Sequence, residues 1–264
     1  MSIYIKDNNI WKQATDNPVK QSGVWKSPNK VYIKQSGVWK EAYSKGNPNL
    51  LHHWKLDESS GATTFIDSGV NAVNGNIYGT NDGRLTAGNS SAYGNYVNHT
   101  GNNASPRTGI LLAQQFPNIS SWSISVWCLN SISLGQYGNG NRLFLQDTGS
   151  NKLRVGLNGT YKDNLTTYTI FGTSTWRHVV ITYDGSNLRA YIDGVYGDGA
   201  DNGFAVSGFT PATENYGIVN MVQTGQDNNW TSIVQQFGIR NHRIYDIVLS
   251  QAQITDLYNN PDSV

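Results

Sequence analysis

Cys128 is the single cysteine in 264 residues, so no intrachain disulfide can form and the fold must hold by packing and hydrogen bonding. Charge is sparse too. Charged residues make up 14 % of the chain, and 19 basic against 18 acidic side chains leave a net charge of +1. That balance supplies no field to attract nucleic acid or an anionic membrane, so neither is expected as a partner. Glutamate is scarce: Glu41, Glu58 and Glu214 are the only three, and none has an acidic residue two or four positions away. A glycosidase needs two carboxylates roughly 5–9 Å apart, and on one strand only alternate residues share a face. Asp57 and Glu58 are adjacent and would point to opposite sides, so an enzyme is not expected. No Gly-x-Ser-x-Gly elbow, phosphate loop or dinucleotide fingerprint occurs, and no Cys/His group has zinc spacing. No apolar run approaches membrane-spanning length. The N-terminus lacks a charged segment followed by an apolar one, so export by an ordinary signal is not expected.

What the chain does have is repetition at one end. "IKDNNIWK" (Ile5–Lys12), "VKQSGVWK" (Val19–Lys26) and "IKQSGVWK" (Ile33–Lys40) begin fourteen residues apart and share a Trp-Lys ending. A fixed period marks a repeated structural unit. Fourteen residues is too short for the common helical repeats. Each unit reads as apolar-Lys, a polar turn, then apolar-Trp-Lys, which predicts three short β-hairpins in a row. Residues 1–45 carry eight lysines against two aspartates and one glutamate. The lysines are expected to solvate strand faces and protect edges, the alternative being a docking surface for an acidic partner. Such a short meander buries little by itself and needs its neighbouring domain, a second copy of itself or a larger body to lie against. Trp11, Trp25 and Trp39 are its candidate anchors.

The polar linker "SKGNPN" (Ser44–Asn49) separates residues 1–45 from a second domain, 46–264. There the pattern is strands and turns. "SWSISVWCL" alternates with period two and places Cys128 on one face with Trp122, Ile124 and Val126, as a buried structural thiol. "RLFLQ" and "KLRVGL" flank a hairpin turn. Asp184-Gly185 and Asp193-Gly194 each mark a tight turn between β-prone runs. One helix is expected near the C-terminus: Ser250 caps it, Gln253 completes a capping box, Ile254, Leu257 and Tyr258 form its apolar stripe, and Pro261 follows its end. The fold class is all-β, an antiparallel jelly-roll sandwich with one short C-terminal helix, preceded by the hairpin segment.

Four blocks carry a resemblance. "LLHHWKLDESSGATTFIDSGVNAVNGNIYG" resembles the opening of laminin-G-like, concanavalin A-like jelly-roll domains, and "SISVWCL" their central strand. "TSTWRHVVITYDGSNLRAYIDGV" resembles their most recognisable stretch, and "IRNHRIYDIVLSQAQITDLYN" their closing strand and helix. Thr80–Ile119 is not covered and is expected to be inserted loops. The hairpin units resemble modules of tailed-bacteriophage structural proteins. Together these imply a virion surface protein, of decoration or fibre type, with residues 1–45 as the attachment piece. Its partners would be other virion proteins, further copies of itself and a host-cell glycan. The alternative is a non-catalytic carbohydrate-binding accessory domain of a bacterial protein.

Sugars are held by aromatic faces beside amides and carboxylates. Tyr137 in "LGQYGNGN", Tyr161 in "NGTYKDN" and Trp230 in "QDNNWTS" are the candidates, in stretches that read as loops; the alternative is packing. Relatives of this fold often hold Ca²⁺, and Asp67, Asn71 and Asn74 in "DSGVNAVNG" could supply oxygens. The alternative is that they hydrogen-bond their own turns.

Overall fold

The computed structural model describes residues 4–7, 10–13, 19–21, 24–26, 30–35, 38–44, 49–78, 85–90, 94–99, 109–137, 142–147, 150–163, 169–196, 203–206, 208–211, 215–223 and 237–262. Side chains are described from Asn49 onward, other than those of Tyr137, Arg142 and residues 220–223. Two units divide the chain, Met1–Pro48 with Val264, and Asn49–Ser263.

In the first unit each repeat forms its own two-stranded antiparallel sheet: Tyr4–Asp7 with Ile10–Gln13, Val19–Gln21 with Val24–Lys26, and Lys30–Gln35 with Val38–Ser44. The register is the same in all three. Lys6 pairs with Trp11, Lys20 with Trp25 and Lys34 with Trp39. Each repeat therefore gives one lysine and one tryptophan paired register positions across the hairpin. A two-stranded sheet is marginal in water without something to pack on.

The second unit is a sandwich of two sheets. The nine-stranded sheet runs in the order Leu85–Ser90, Gly94–His99, Phe237–Tyr245, Trp122–Leu129, Trp176–Tyr183, Asn187–Ile192, Val195–Tyr196; Leu50–Trp54 also pairs with Phe237–Tyr245, and Gly203–Ala205 with Asn187–Ile192. The eight-stranded sheet runs Thr160–Lys162, Leu153–Leu157, Arg142–Asp147, Ser133–Tyr137, Gly217–Gln223, Gly109–Leu112, Gly75–Tyr78, Thr64–Phe65. All neighbours are antiparallel except Ser133–Tyr137 with Gly217–Gln223, which are parallel. The stretch expected as inserted loops instead holds three strands. Leu85–Ser90 and Gly94–His99 form a hairpin on the sheet edge, and Gly109–Leu112 lies inside the other sheet. That edge hairpin turns only Leu85, Val97 and His99 inward, so its sequence lacks the apolar alternation that would reveal it.

The core lies between the sheets. Trp122, Ile124, Val126 and Cys128 face it from the central strand, and burial pushes the Cys128 thiol well above its ordinary range. Phe116, Trp122, Tyr183, Tyr216 and Phe209 pack ring to ring, with centroids 5.2–6.3 Å apart. The other face of the central strand is covered as well. Helix Gln251–Asn259 begins at Ser250 with the full capping box, and Ile254 and Leu257 close over Leu50, Val180, Tyr245 and Leu249. Tyr258 stacks on Trp127, 5.7 Å away and 9° from parallel. Past the helix, the Pro261 carbonyl accepts from Arg243, and Asp262 pairs with Arg240. No helix among the described residues is long and apolar enough to cross a membrane.

Candidate functional site

The outer face of the eight-stranded sheet is set by alternation. Leu134, Leu143, Leu145, Leu153, Val155 and Leu157 turn inward, so Gly135, Phe144, Gly156 and Tyr161, joined by direct register, form a row on the outside. Gly156 makes room for the Phe144 ring, and Gly135 (φ 119°) lets the neighbouring backbone approach closely. A Cβ on Gly156 would lie 2.1 Å from a Phe144 ring carbon, and one on Gly135 would lie 2.1 Å from the Leu143 carbonyl. Phe144 is buried.

Tyr161 ends the row on the edge strand and is 51 % exposed. The strand exists because Asn158 (φ 48°) and Gly159 (φ 77°) both take the left-handed backbone of a two-residue hairpin turn, which pairs Leu157 with Thr160. The guanidinium of Arg154 lies over the Tyr161 ring, 5.1 Å from its centroid. Asp163 grips that guanidinium through both carboxylate oxygens, Nη2 to Oδ2 at 2.9 Å and Nε to Oδ1. This bidentate hydrogen bond also raises the Arg154 pKa. A forked ion pair fixes the plane of the cation, and the cation then holds the ring. The result is a pre-set aromatic surface with hydrogen-bonding groups at its side, the combination that grips a saccharide through ring C–H groups and hydroxyls.

Of the three aromatic candidates, Tyr161 is placed at this edge, on a strand and not in a loop. Tyr137 falls at the end of Ser133–Tyr137, opposite Arg142, a register position on the same face as Gly135. It lies three strands from Tyr161, roughly 14 Å at the usual spacing. Trp230 lies outside the described residues. Trp11, Trp25 and Trp39 hold the register positions given above, and their side chains lie outside the described set. Sequence reading missed Arg154 and Asp163. Their nine-residue separation means nothing until the Asn158-Gly159 turn folds them together, and that dipeptide was the available signal.

Asp67, Asn71 and Asn74 do come together, but around donors. The fully buried Asp67 carboxylate accepts from the amides of His53, Gly69 and Val73, each at 2.8 Å, and from His52 Nδ1 at 2.7 Å. Burial alone would raise its pKa; the bonds from His52 and the three amides outweigh that and lower it. Asn74 Oδ1 accepts from the Asp67 amide, and Asn71 Nδ2 lies 3.1 Å from His52 Nε2. The described residues include no group of three or more His, Cys, Asp or Glu able to hold a metal ion.

Two pairs have the look of catalytic fragments. His52 is oriented by Asp67, yet its Nε2 faces the amide nitrogens of Asn71 and Gln114 in place of a hydroxyl. Ser125 Oγ lies 2.9 Å from His178 Nε2, yet His178 is buried against Trp127 and Tyr258. No carboxylate bonds to His178 Nδ1 among the described residues.

Comparison with known proteins agrees with this architecture. A sequence profile of the concanavalin A-like lectin/glucanases superfamily matches residues 108–255. No curated protein sequence matches the chain. Among solved structures, the binding domain of botulinum neurotoxin serotype G is similar over 81 % of this chain and 52 % of that one, with a TM-score of 0.57 at 14 % identity. The binding domain of Paraclostridial Mosquitocidal Protein 1 is similar over 81 % and 52 %, with a TM-score of 0.53 at 16 % identity. This chain spans about half the length of those toxin chains. Domain 4 of AbnA, a GH43 extracellular arabinanase from Geobacillus stearothermophilus solved in complex with arabinotriose, is similar over 80 % of this chain and 98 % of its own, with a TM-score of 0.56 at 21 % identity. At these identities the likeness is one of fold.

Proposed function

The chain belongs to the concanavalin A-like lectin/glucanases superfamily, and from that premise we propose that it is a non-catalytic saccharide-binding protein. Its contact surface is the outer face of the eight-stranded sheet at the Thr160–Lys162 edge. The observation that carries this reading is the half-exposed Tyr161 ring held by the Arg154–Asp163 fork. Exposing an aromatic ring costs hydration free energy, and pinning it with an ion pair removes the entropy a ligand would otherwise have to freeze. The arabinotriose complex of the similar AbnA domain supports a saccharide as the ligand. The amide nitrogens facing His52 Nε2, and the absence of a carboxylate on His178 Nδ1 among the described residues, support a role without catalysis. Glycan-array binding by the whole chain tests the reading. Tyr161→Ala is expected to weaken binding to the array's best glycan about tenfold, near 1.4 kcal/mol, with thermal stability unchanged. Wild-type silence on the array, or full binding by the variant, contradicts it.

The finer reading puts this surface on a bacteriophage particle, with residues 1–45 as the mount. Three hairpins at one spacing and one Lys–Trp register support it, as does the need of each two-stranded sheet for a neighbour. Peptide mapping of purified particles is expected to recover the chain. Its absence from particles, with saccharide binding intact, favours an accessory module of a bacterial protein.

A further inference from the structure

We propose a second saccharide-contact edge, on the nine-stranded sheet, formed by Tyr191, Tyr196 and Arg189. Strand Asn187–Ile192 turns Leu188, Ala190 and Ile192 into the core, which leaves Arg189 and Tyr191 on the outer face. Asp193 (φ 52°) and Gly194 (φ 78°) reverse the chain and bring Tyr196 directly across from Tyr191. The two rings stand 5.1 Å apart and 55° from parallel, so they make an open corner and not a closed stack. Tyr196 is 38 % exposed, and Tyr191 is backed by the cluster under the C-terminal helix. The corner is held in place because Gln251 Nε2 and Thr255 Oγ1 of that helix both donate to the Gly194 carbonyl.

Beside the corner, Arg189 Nη1 bonds Asp184 Oδ2 at 2.6 Å. That bond, with the amides of Ser186 and Asn187, holds the Asp184 carboxyl down at about 2. The edge therefore repeats the chemistry of the first: a solvent-facing tyrosine on the outermost strand of a hairpin, next to an arginine pinned by an aspartate. A ring corner takes the C–H face of a sugar, and the remaining guanidinium N–H groups and carboxylate lone pairs take its hydroxyls. With one such edge on each sheet, a single sandwich can engage two stretches of a polysaccharide, so weak individual contacts add as avidity. The ligand class rests on the saccharide reading; the residues do not overlap with those of the first edge.

The test is a titration of the full chain, with ¹³C-labelled tyrosine rings, by arabinotriose, chitotriose and trigalacturonate. Saturable shifts of the Tyr191 and Tyr196 resonances are expected with at least one probe. They should persist in Tyr161→Ala, vanish in Tyr196→Ala and weaken at least fivefold in Arg189→Gln. Shifts at Tyr161 with none at Tyr191 or Tyr196 overturn this second edge and leave the first standing. Shifts at Tyr191 and Tyr196 with none at Tyr161 support it and remove the first. No shift at any of the three rings, with all three probes, overturns both.

Discussion

Lowering the pH from 7 to about 4 is expected to unfold the sandwich. His53, His178 and His242 are buried, and each has its pKa depressed to about 3. Desolvation is the largest cause in all three, and the buried Arg243 guanidinium adds repulsion at His53 and His178. In the unfolded chain these imidazoles titrate near 6.5. Between about 6.5 and 3 the unfolded chain therefore binds protons that the folded chain refuses, and stability falls as the pH falls. One pKa unit is worth about 1.4 kcal/mol, so each histidine can withdraw roughly 4–5 kcal/mol over that interval. Three such groups reach the whole stability of an ordinary domain, about 5–15 kcal/mol, before the pH reaches 3. Tryptophan fluorescence and near-ultraviolet circular dichroism followed against pH will show it. A chain that keeps its tertiary signal at pH 3.5 would mean that these histidines are not held neutral.

Asp67→Ala is expected to cost about 3–5 kcal/mol. The substitution leaves four donors, the His53, Gly69 and Val73 amides and His52 Nδ1, without their shared acceptor. Abandoning the buried partners of a charged group costs about that much. In a domain of this size it lowers Tm by roughly 10–15 °C. The loop it anchors also has no slack, since a Cβ on Gly69 would come within 2.5 Å of the His52 backbone. The same measurement decides between a carboxylate that organises a turn and one that holds calcium. With the carboxylate filled by N–H donors, millimolar calcium or a chelator is expected to leave the wild-type Tm where it is. A clear rise on adding calcium would mean that Asp67, Asn71 and Asn74 turn their oxygens toward a cation.

Both results depend on contacts between residues far apart in the chain, and this marks where sequence reading stops. Alternation in "SWSISVWCL", the paired Asp-Gly turns and the Ser250–Gln253 box are local signals, and each element formed where they point. They act within a few residues, through backbone conformation and period-two burial, so the sequence carries them in full. It also carries the common register of the three hairpins, because each repeat closes on itself.

The tertiary structure decided which faces and edges meet. Thr160–Lys162 ends one sheet and, beyond Asn187–Ile192, Val195–Tyr196 ends the other. That placement leaves Tyr161 and Tyr196 exposed among so many buried aromatics. Asp67 takes its acceptor role from a strand fourteen residues earlier, and Ser125 meets His178 across a pairing 53 residues apart. No local pattern encodes these meetings. Strand order and register set them, and those follow from burying one shared core between two sheets.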